Sequence, residues 1–343
     1  MHSSRARAPL RIGLAGGGSD LKEYYEKYNG AVISVTIRKY AYAELKNNDD
    51  YFKAESLDLS KEYIIKDIHS LDLSIVPKQL LLHIYVYKRI IREFNNNQQI
   101  NCHLSTYSDS PIGSGLGSSS TLVVAMVKCF NESLNLALDD YRIAHLSYEI
   151  ERIDCGFSGG KQDQYSAVFG GFNFIEFNPY NTIVNPLRIK DWFRFELECS
   201  LILHFTGVSR YSSDVISDQA EVINQSNKNL VYLHKLKKQA YIMKEAVLKC
   251  DINSFKDSLN STWYFKSKTS SKITNEFINK RIELGYKYGA EAAKVSGAGG
   301  GGFILFMCNS ANAIQLKNRL RLENDETFFC SFCDNGAESW RLL

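Results

Sequence analysis

No run in the 343-residue chain approaches the ~18 consecutive apolar residues of a membrane-spanning helix. The opening segment, Met1 to Pro9, carries Arg5 and Arg7 but no apolar centre, so it lacks the form of a secretory signal. An excess of one charge is missing too. The net charge of +3 gives none of the concentrated basic footprint that marks a nucleic-acid-binding chain. Histidine is scarce, at seven residues, and never occurs as H-E-x-x-H, which removes metalloprotease chemistry. The eight cysteines are scattered, and only Cys330 and Cys333 form a C-x-x-C. That pair lacks the second pair of a zinc site and the helix start of a redox motif, because Phe328–Phe332 reads as a strand. Free thiols, several of them buried, are expected. These absences describe a cytoplasmic protein, monomer or homodimer, with no nucleic-acid or membrane partner.

What is present suits a globular protein, with 44% hydrophobic and 23% charged residues. The length suggests two domains, and the character of the sequence changes near residue 180, dividing it into 1–180 and 181–343. Arg5–Ala15 reads as a strand running into Gly16, Gly17 and Gly18, and Asp20 as the cap of a helix over Leu21–Tyr28. Ala31–Leu45 is a long strand or strand pair, and 47–77 reads as hairpins and loops. Gln79–Phe94 has helical apolar spacing, and Asn101–Tyr107 is a further strand. Ser118–Leu134 is apolar on nearly every side, as a helix buried all round would be. A second helix over Asp139–Arg152 is capped by Asp139. Strands follow at Phe172–Phe177 and Leu201–Phe205, then polar helices across 212–260 and a helix over Ile273–Tyr288. The strand Phe303–Met307, a helix over 310–323 and a strand near 328–333 close the chain. Without regular βαβ alternation, the fold class is α+β.

Three glycine-rich loops stand out. In Pro111-Ile112-Gly113-Ser114-Gly115-Leu116-Gly117-Ser118-Ser119-Ser120, alternate glycines let the backbone turn tightly and approach a ligand. The serines open an apolar helix whose first amides have no intrahelical partner and lie at the positive end of its dipole. Together they form an anion cradle suited to phosphates, with a serine hydroxyl available to Mg²⁺. The loop is not a Walker A motif, and its third glycine falls one residue early for a dinucleotide G-x-G-x-x-G. Protein-kinase H-R-D and D-F-G are absent.

P-x-G-x-G-L-G-S-S resembles the phosphate-binding motif of the GHMP kinases, the family of galactokinase, homoserine kinase, mevalonate kinase and phosphomevalonate kinase. Ala8–Asp20 is similar to the family's N-terminal A-P-x-[KR] motif, and Lys294–Phe303 to its C-terminal glycine-rich motif. The resemblance spans nearly the whole chain. It implies a two-lobed fold, with an N-terminal half like domain 2 of ribosomal protein S5 and a ferredoxin-like C-terminal half. It also implies ATP and Mg²⁺ as cofactors, a small sugar or sugar phosphate as substrate, and an active site between the lobes facing all three loops.

By that resemblance Pro111, Gly113, Ser114, Gly115, Leu116, Gly117, Ser118, Ser119 and Ser120 bind nucleotide. Glu151 is the Mg²⁺ ligand together with Ser119, with Glu149 as an outside candidate. Asp163, after a Gly-Gly turn, matches the family's catalytic aspartate, a carboxylate placed to accept the proton of the attacking hydroxyl. Arg11 matches the basic residue beside it. Asp20 is the candidate sugar-hydroxyl ligand, helped by Gly17, Gly18 and Ser19, and the third loop adds Gly297, Ala298, Gly299 and Gly300.

Galactokinase and mevalonate kinase carry G-E-H after the first strand, where this chain has Gly16-Gly17-Gly18-Ser19-Asp20. With Gly159-Gly160-Lys161-Gln162-Asp163-Gln164, this looks like a sub-branch containing D-glycero-D-manno-heptose 7-phosphate kinases and L-fucokinase-like enzymes, both acting on the anomeric hydroxyl. Lys161 stands where fucokinase-type sequences tend to have an aromatic, which favours the heptose 7-phosphate. The implied product is a 1,7-bisphosphate for nucleotide-activated heptose. Arg7, Lys161, Arg210 and Lys266 are candidates to hold the substrate's own phosphate. A non-catalytic nucleotide or sugar sensor is the alternative of another class.

Overall fold

The computed structural model describes residues 1–208, 229–323 and 326–342. Arg210 and the start of the helices expected across 212–260 lie outside the described residues. In chain order the elements are strand β1 (Ser4–Ala15), helix α1 (Lys22–Tyr28), β2 (Gly30–Asn47), β3 (Phe52–Ser56), β4 (Lys61–Ile65), α2 (Leu81–Phe94), β5 (Cys102–Ser108), α3 (Ser118–Leu134), α4 (Asp140–Tyr148), α5 (Gln162–Phe169), β6 (Phe172–Phe177), β7 (Thr182–Pro186), α6 (Asp191–Ser200) and β8 (Leu201–Phe205). There follow α7 (Leu230–Lys249), α8 (Ile252–Ser267), α9 (Glu276–Lys287), β9 (Ala290–Val295), β10 (Phe303–Cys308), α10 (Ser310–Arg321), β11 (Thr327–Phe329) and β12 (Glu338–Arg341).

Two sheets carry the fold. In the first, the order β12-β1-β2-β5-β3-β4 is extended by β6 on β2 and β7 on β6. The long β2 pairs with β1 throughout, with β6 along its first half and with β5 along its second. The second sheet has the antiparallel order β11-β8-β10-β9. Numbered along that lobe, this order is 4-1-3-2, the arrangement of the expected ferredoxin-like half. The range 181–343 is not confined to this sheet, since β7 and β12 belong to the first. Among the described residues no helix is long and apolar enough to cross a membrane.

Helix α3 has no polar face because protein covers it on all sides. It packs on β1, β2, α2, α4 and α5, and Leu122, Val123, Val124, Met126, Val127 and Phe130 are buried together. Leu10, Ile12 and Leu14 of β1 belong to a different core, shared with Leu203, Phe205, Phe303 and Leu305 of the second sheet. Strand β1 therefore fastens the two lobes to each other. The register between β1 and β2 shifts between Pro9 and Arg11, where the chain reaches the interlobe side.

Several expected boundaries move for physical reasons. Asp20 does not cap α1. The helix starts at Lys22 after an uncapped Leu21, because the Asp20 carboxylate is drawn elsewhere. Asp139 does cap α4, accepting from Arg142 N at 2.8 Å. The α-helix stops at Tyr148, however, and Glu149–Asp154 forms a π turn, with Cys155 N donating to Ile150 O at 2.9 Å. Such wider turns re-aim side chains and are frequent at functional sites. Strand β9 is written in helix-favouring alanines and takes its form from pairing with β10. Strand β12 is only four residues long and gains its ladder from β1. Strand β11 ends at Phe329, and Phe332 makes only an isolated bridge to Ile37. All eight cysteines are free.

The segment after Cys333 crosses the end of α5, where a Cβ on Gly336 would lie 1.8 Å from Val168 O. We expect Gly336→Ala to lower the unfolding free energy by about 2 kcal/mol, read by urea denaturation. An unchanged midpoint would show that this crossing yields freely.

Candidate active site

The loop before α3 alternates in burial. Ser114, Leu116, Ser118 and Ser120 are buried, while Gly113, Gly115, Gly117 and Ser119 are partly open. The buried set anchors the loop. Ser118 Oγ donates to Pro111 O at 2.9 Å, and Arg11 N donates to Leu116 O at 3.0 Å. Gly113, Gly115 and Gly117 have φ of 82°, 82° and 78°, left-handed values that an L side chain resists. Gly117 takes the N-cap position of α3 without any side-chain cap. The first amides of a long helix, at the positive end of its dipole, are thereby left for a ligand.

The third loop presses on this one, backbone to backbone. A Cβ on Gly115 would lie 2.5 Å from Ser296 O, and one on Gly297 would lie 2.6 Å from Gly115 Cα. The Gly115 carbonyl accepts from Ser296 Oγ at 2.8 Å and from Arg11 Nη1 at 2.8 Å. Phe303 N donates to Ser114 O at 2.8 Å. The missing side chain at 115 thus makes room for the neighbouring loop rather than for a phosphate.

Arg11, buried, also donates through Nε to Asp163 Oδ1 at 2.7 Å, with Nη2 at the same distance. Asp163 lies in the first turn of α5. A Cβ on Gly117 would touch Asp163 Cγ at 3.4 Å and Arg11 Cγ at 3.5 Å, so the ion pair sits against the open helix start. Behind it, Asp20 is only 2% exposed. Its carboxylate accepts from Gly18 N at 2.9 Å, Gln162 N at 3.2 Å and Gln162 Nε2 at 3.3 Å. Burial, then the charge of Asp163, raises its pKa above the ordinary aspartate value, against the pull of those amides.

The two glutamates are separated by the π turn. Glu151, 1% exposed, accepts from Ser119 Oγ at 2.8 Å and from Gln164 Nε2 at 2.7 Å, with Arg152 Nη1 at 3.2 Å. Glu149 faces away and pairs with Arg89 at 2.5 Å and Arg142 at 3.5 Å. Of the pair, Glu151 is the one brought to the cradle.

Several expected contacts are taken up otherwise. Ser19, expected at the sugar, is enclosed, donating to Gly16 O and Ala31 O at 2.8 and 2.9 Å and so tying the first loop to β2. Gly299 and Gly300 lie against Ile273, with Gly300 N donating to Ile273 O at 2.7 Å. Gly297 lines the cleft, and Ala298 beside it is half-buried. Arg7 is held on β12 by Glu338 at 2.7 Å, away from the loops. Lys161 rests between the rings of Tyr25 and Tyr148, 4.7 and 5.1 Å from their centroids; burial lowers its pKa.

Gln162, Thr262 and Lys294 line the cleft beside Arg11, Gly17 and Lys266, and sequence alone does not single them out. A signal exists for one of them, Thr262. Along α8 the buried residues Phe255, Leu259, Thr262 and Lys266 form one stripe, and a lysine ending an apolar stripe is uncommon. Lys294 opens a glycine-rich stretch with the sequence pattern of a loop, yet it belongs to strand β9.

The donor chemistry fits the expected nucleotide and metal. Uncapped amides flanked by left-handed glycines suit phosphate oxygens. The Ser119 hydroxyl and Glu151 carboxylate are oxygen donors of the kind Mg²⁺ takes alongside phosphates. Among the described residues no cluster of three or more His, Cys, Asp or Glu could hold a metal by itself.

Comparison with known proteins identifies the family. Residues 82–171 match the family model for the GHMP kinases N terminal domain, and 243–325 the model for the GHMP kinases C terminal region. The chain is 40% identical, over all of both chains, to D-glycero-alpha-D-manno-heptose 7-phosphate kinase of Campylobacter jejuni. It is 26% identical over 92% of its length to the bifunctional fucokinase/GDP-fucose pyrophosphorylase of Arabidopsis thaliana, of which it spans 31%. The crystal structure of a D-glycero-D-manno-heptose 1-phosphate kinase from Bacteroides thetaiotaomicron superposes with a TM-score of 0.82 at 36% identity, covering 99% of each chain. Mevalonate kinase of Methanococcus jannaschii shares the fold, with a TM-score of 0.74 at 19% identity over 96% of this chain and 98% of that one.

The contact between the loops predicts the effect of widening it. Gly115→Val should weaken ATP binding at least tenfold by pushing the cradle off Ser296, read by calorimetric titration on folded protein. Unchanged affinity would show that the cradle forms without this contact.

Proposed function

The chain belongs to the GHMP kinase family, and from that premise we propose that this sugar kinase transfers the γ-phosphoryl of ATP to the anomeric hydroxyl of D-glycero-D-manno-heptose 7-phosphate. The product is the 1,7-bisphosphate, an intermediate suited to making nucleotide-activated heptose. The observation that carries the reading is the Arg11–Asp163 pair at 2.7 Å, set against the uncapped start of α3. A nucleotide and a hydroxyl can meet there with a carboxylate between them.

The residues divide the work. The amides from Gly113 to Ser120 hold the phosphates of ATP. Asp163 accepts the proton of the anomeric hydroxyl as its oxygen bonds to the γ-phosphorus and the bond to the β,γ-bridging oxygen breaks, releasing ADP. Arg11 is fixed from both sides, by Gly115 O and by Asp163. Its charge needs no reorganisation to stabilise the transferring group. Asp20 acts through Gln162, presenting that side chain to the sugar. Ser119 and Glu151 would hold Mg²⁺, which supplies charge neutralisation of the polyphosphate when bound.

The sugar is chosen by the full-length likeness to the Campylobacter heptose 7-phosphate kinase. An L-fucokinase reading has weaker support, from the plant relative of which this chain spans only part.

A panel of heptose 7-phosphate, unphosphorylated heptose and L-fucose with ATP and Mg²⁺, followed by phosphorus NMR, tests the assignment. A new anomeric phosphate on heptose 7-phosphate is the expected result. Turnover of L-fucose alone would replace the substrate, and ATP binding without any turnover would favour a sensor. Asp163→Asn should lower kcat by about 10²–10⁴, or roughly 3–5 kcal/mol, with ATP still bound; near-normal turnover would show that positioning suffices without a base. Glu151→Gln should raise the Mg²⁺ concentration for half-maximal rate by about tenfold, while Glu149→Gln leaves it in place. The reverse pattern would reassign the metal ligand.

A further inference from the structure

The cleft beside the Arg11–Asp163 pair holds more positive charge than the phosphoryl transfer just described uses. Lys266 and Lys294 line it and are buried. Among the described residues neither makes an ion pair. Lys294 Nζ donates to Gly13 O at 2.6 Å, and Lys266 Nζ donates to Gly297 O. An ammonium has three donors, so each lysine has N–H groups that these bonds do not use. The nearby carboxylates are already engaged, Asp163 by Arg11 and Asp20 by the Gly18 and Gln162 amides.

A buried ammonium without a counter-ion is costly. The cost shows in both groups. Burial, then Arg11, lowers Lys266 to about 8 against the pull of Asp20 and Asp163. Burial, then Lys266 and Arg11, holds Lys294 well below the ordinary lysine value. A third observation is independent of charge. Thr262, on the same wall of the cleft, is 2% exposed, and among the described residues its hydroxyl has no hydrogen-bond partner. Two ammonium groups and a free hydroxyl converging on one space match the terminal oxygens of a phosphate monoester, which charge-assisted donors bind strongly.

We propose that Lys266, Lys294 and Thr262 form the subsite for the phosphate that the acceptor sugar already carries, making the enzyme selective for a sugar phosphate over the free sugar. The proposal rests on the reading of the acceptor as heptose 7-phosphate. Arg11 stands between the two phosphate-binding places, tied on one side to the cradle through Gly115 and lining the acceptor cleft on the other. Gln162 and Gly17 line the same cleft, leaving the sugar ring beside Asp163.

The test is equilibrium binding by calorimetry. Protein saturated with a non-hydrolysable ATP analogue and Mg²⁺ is titrated with heptose 7-phosphate and, separately, with unphosphorylated heptose. The phosphorylated sugar should bind at least tenfold tighter. That preference should fall to about threefold or less in Lys266→Met, Lys294→Met and Thr262→Val, and return in Thr262→Ser. Each variant is first shown to be folded by its thermal transition. A wild-type protein without the preference, or Lys266→Met and Thr262→Val variants that keep it, would overturn the proposal. A preference that is present and sensitive to these substitutions supports it even if ATP turnover of heptose 7-phosphate fails, in which case only the assigned reaction falls. Turnover without the preference has the opposite meaning.

Discussion

One carbonyl oxygen, that of Gly115, ties the site together. It belongs to the loop that opens α3, it accepts from Ser296 of the third loop, and it accepts from Arg11 of β1. Three segments distant in sequence converge on it, one of them from the second lobe. The contact is possible only because neither backbone carries a side chain at the crossing, where Gly115 and Gly297 meet at less than van der Waals distance for any added Cβ. The shape of the loop before α3 is therefore a property of the interlobe contact as much as of its own sequence.

Arg11 then determines the charge pattern. Its guanidinium has one edge on the loop before α3 and the other on Asp163, so that carboxylate is oriented by the same residue that locks the loops. Asp20, a step behind, is buried and protonates more readily than an exposed aspartate. It fixes the Gly160–Gln162 turn rather than meeting solvent. The carboxylates at 20, 151 and 163 sit in three different settings: bound by backbone and side-chain amides, by a hydroxyl and an amide side chain beside the Arg152 guanidinium, and by the Arg11 guanidinium. Environment, not residue type, divides their roles.

The π turn at Glu149–Asp154 is a second local device with a distant result. It sends Glu151 toward Ser119 and leaves Glu149 among Arg89 and Arg142. Helical periodicity alone separates the two residues but cannot say which faces the cleft, because the choice depends on an i to i+5 bond that no local propensity encodes.

The sequence by itself determined the elements with strong periodicity and the loops with unusual composition. Ser118–Leu134 and Phe172–Phe177 lie where their apolar patterns put them, and the loop Pro111–Ser120 pointed to phosphate chemistry, since few other needs gather glycine and serine so densely. The family was legible as a resemblance carried by three motifs in order, and the ferredoxin-like half was what that resemblance implied. Tertiary structure alone decided what depends on partners. Strands β9 and β12 exist because neighbouring strands complete their ladders. Ser19 is enclosed because β2 runs over it, and Asp20 leaves its helix because its carboxylate is engaged by the Gly18 and Gln162 amides. Lys294 and Thr262 enter the site because strand and helix faces meet at the cleft. Contacts between residues hundreds of positions apart are set by packing and burial, and neither leaves a local mark in the chain.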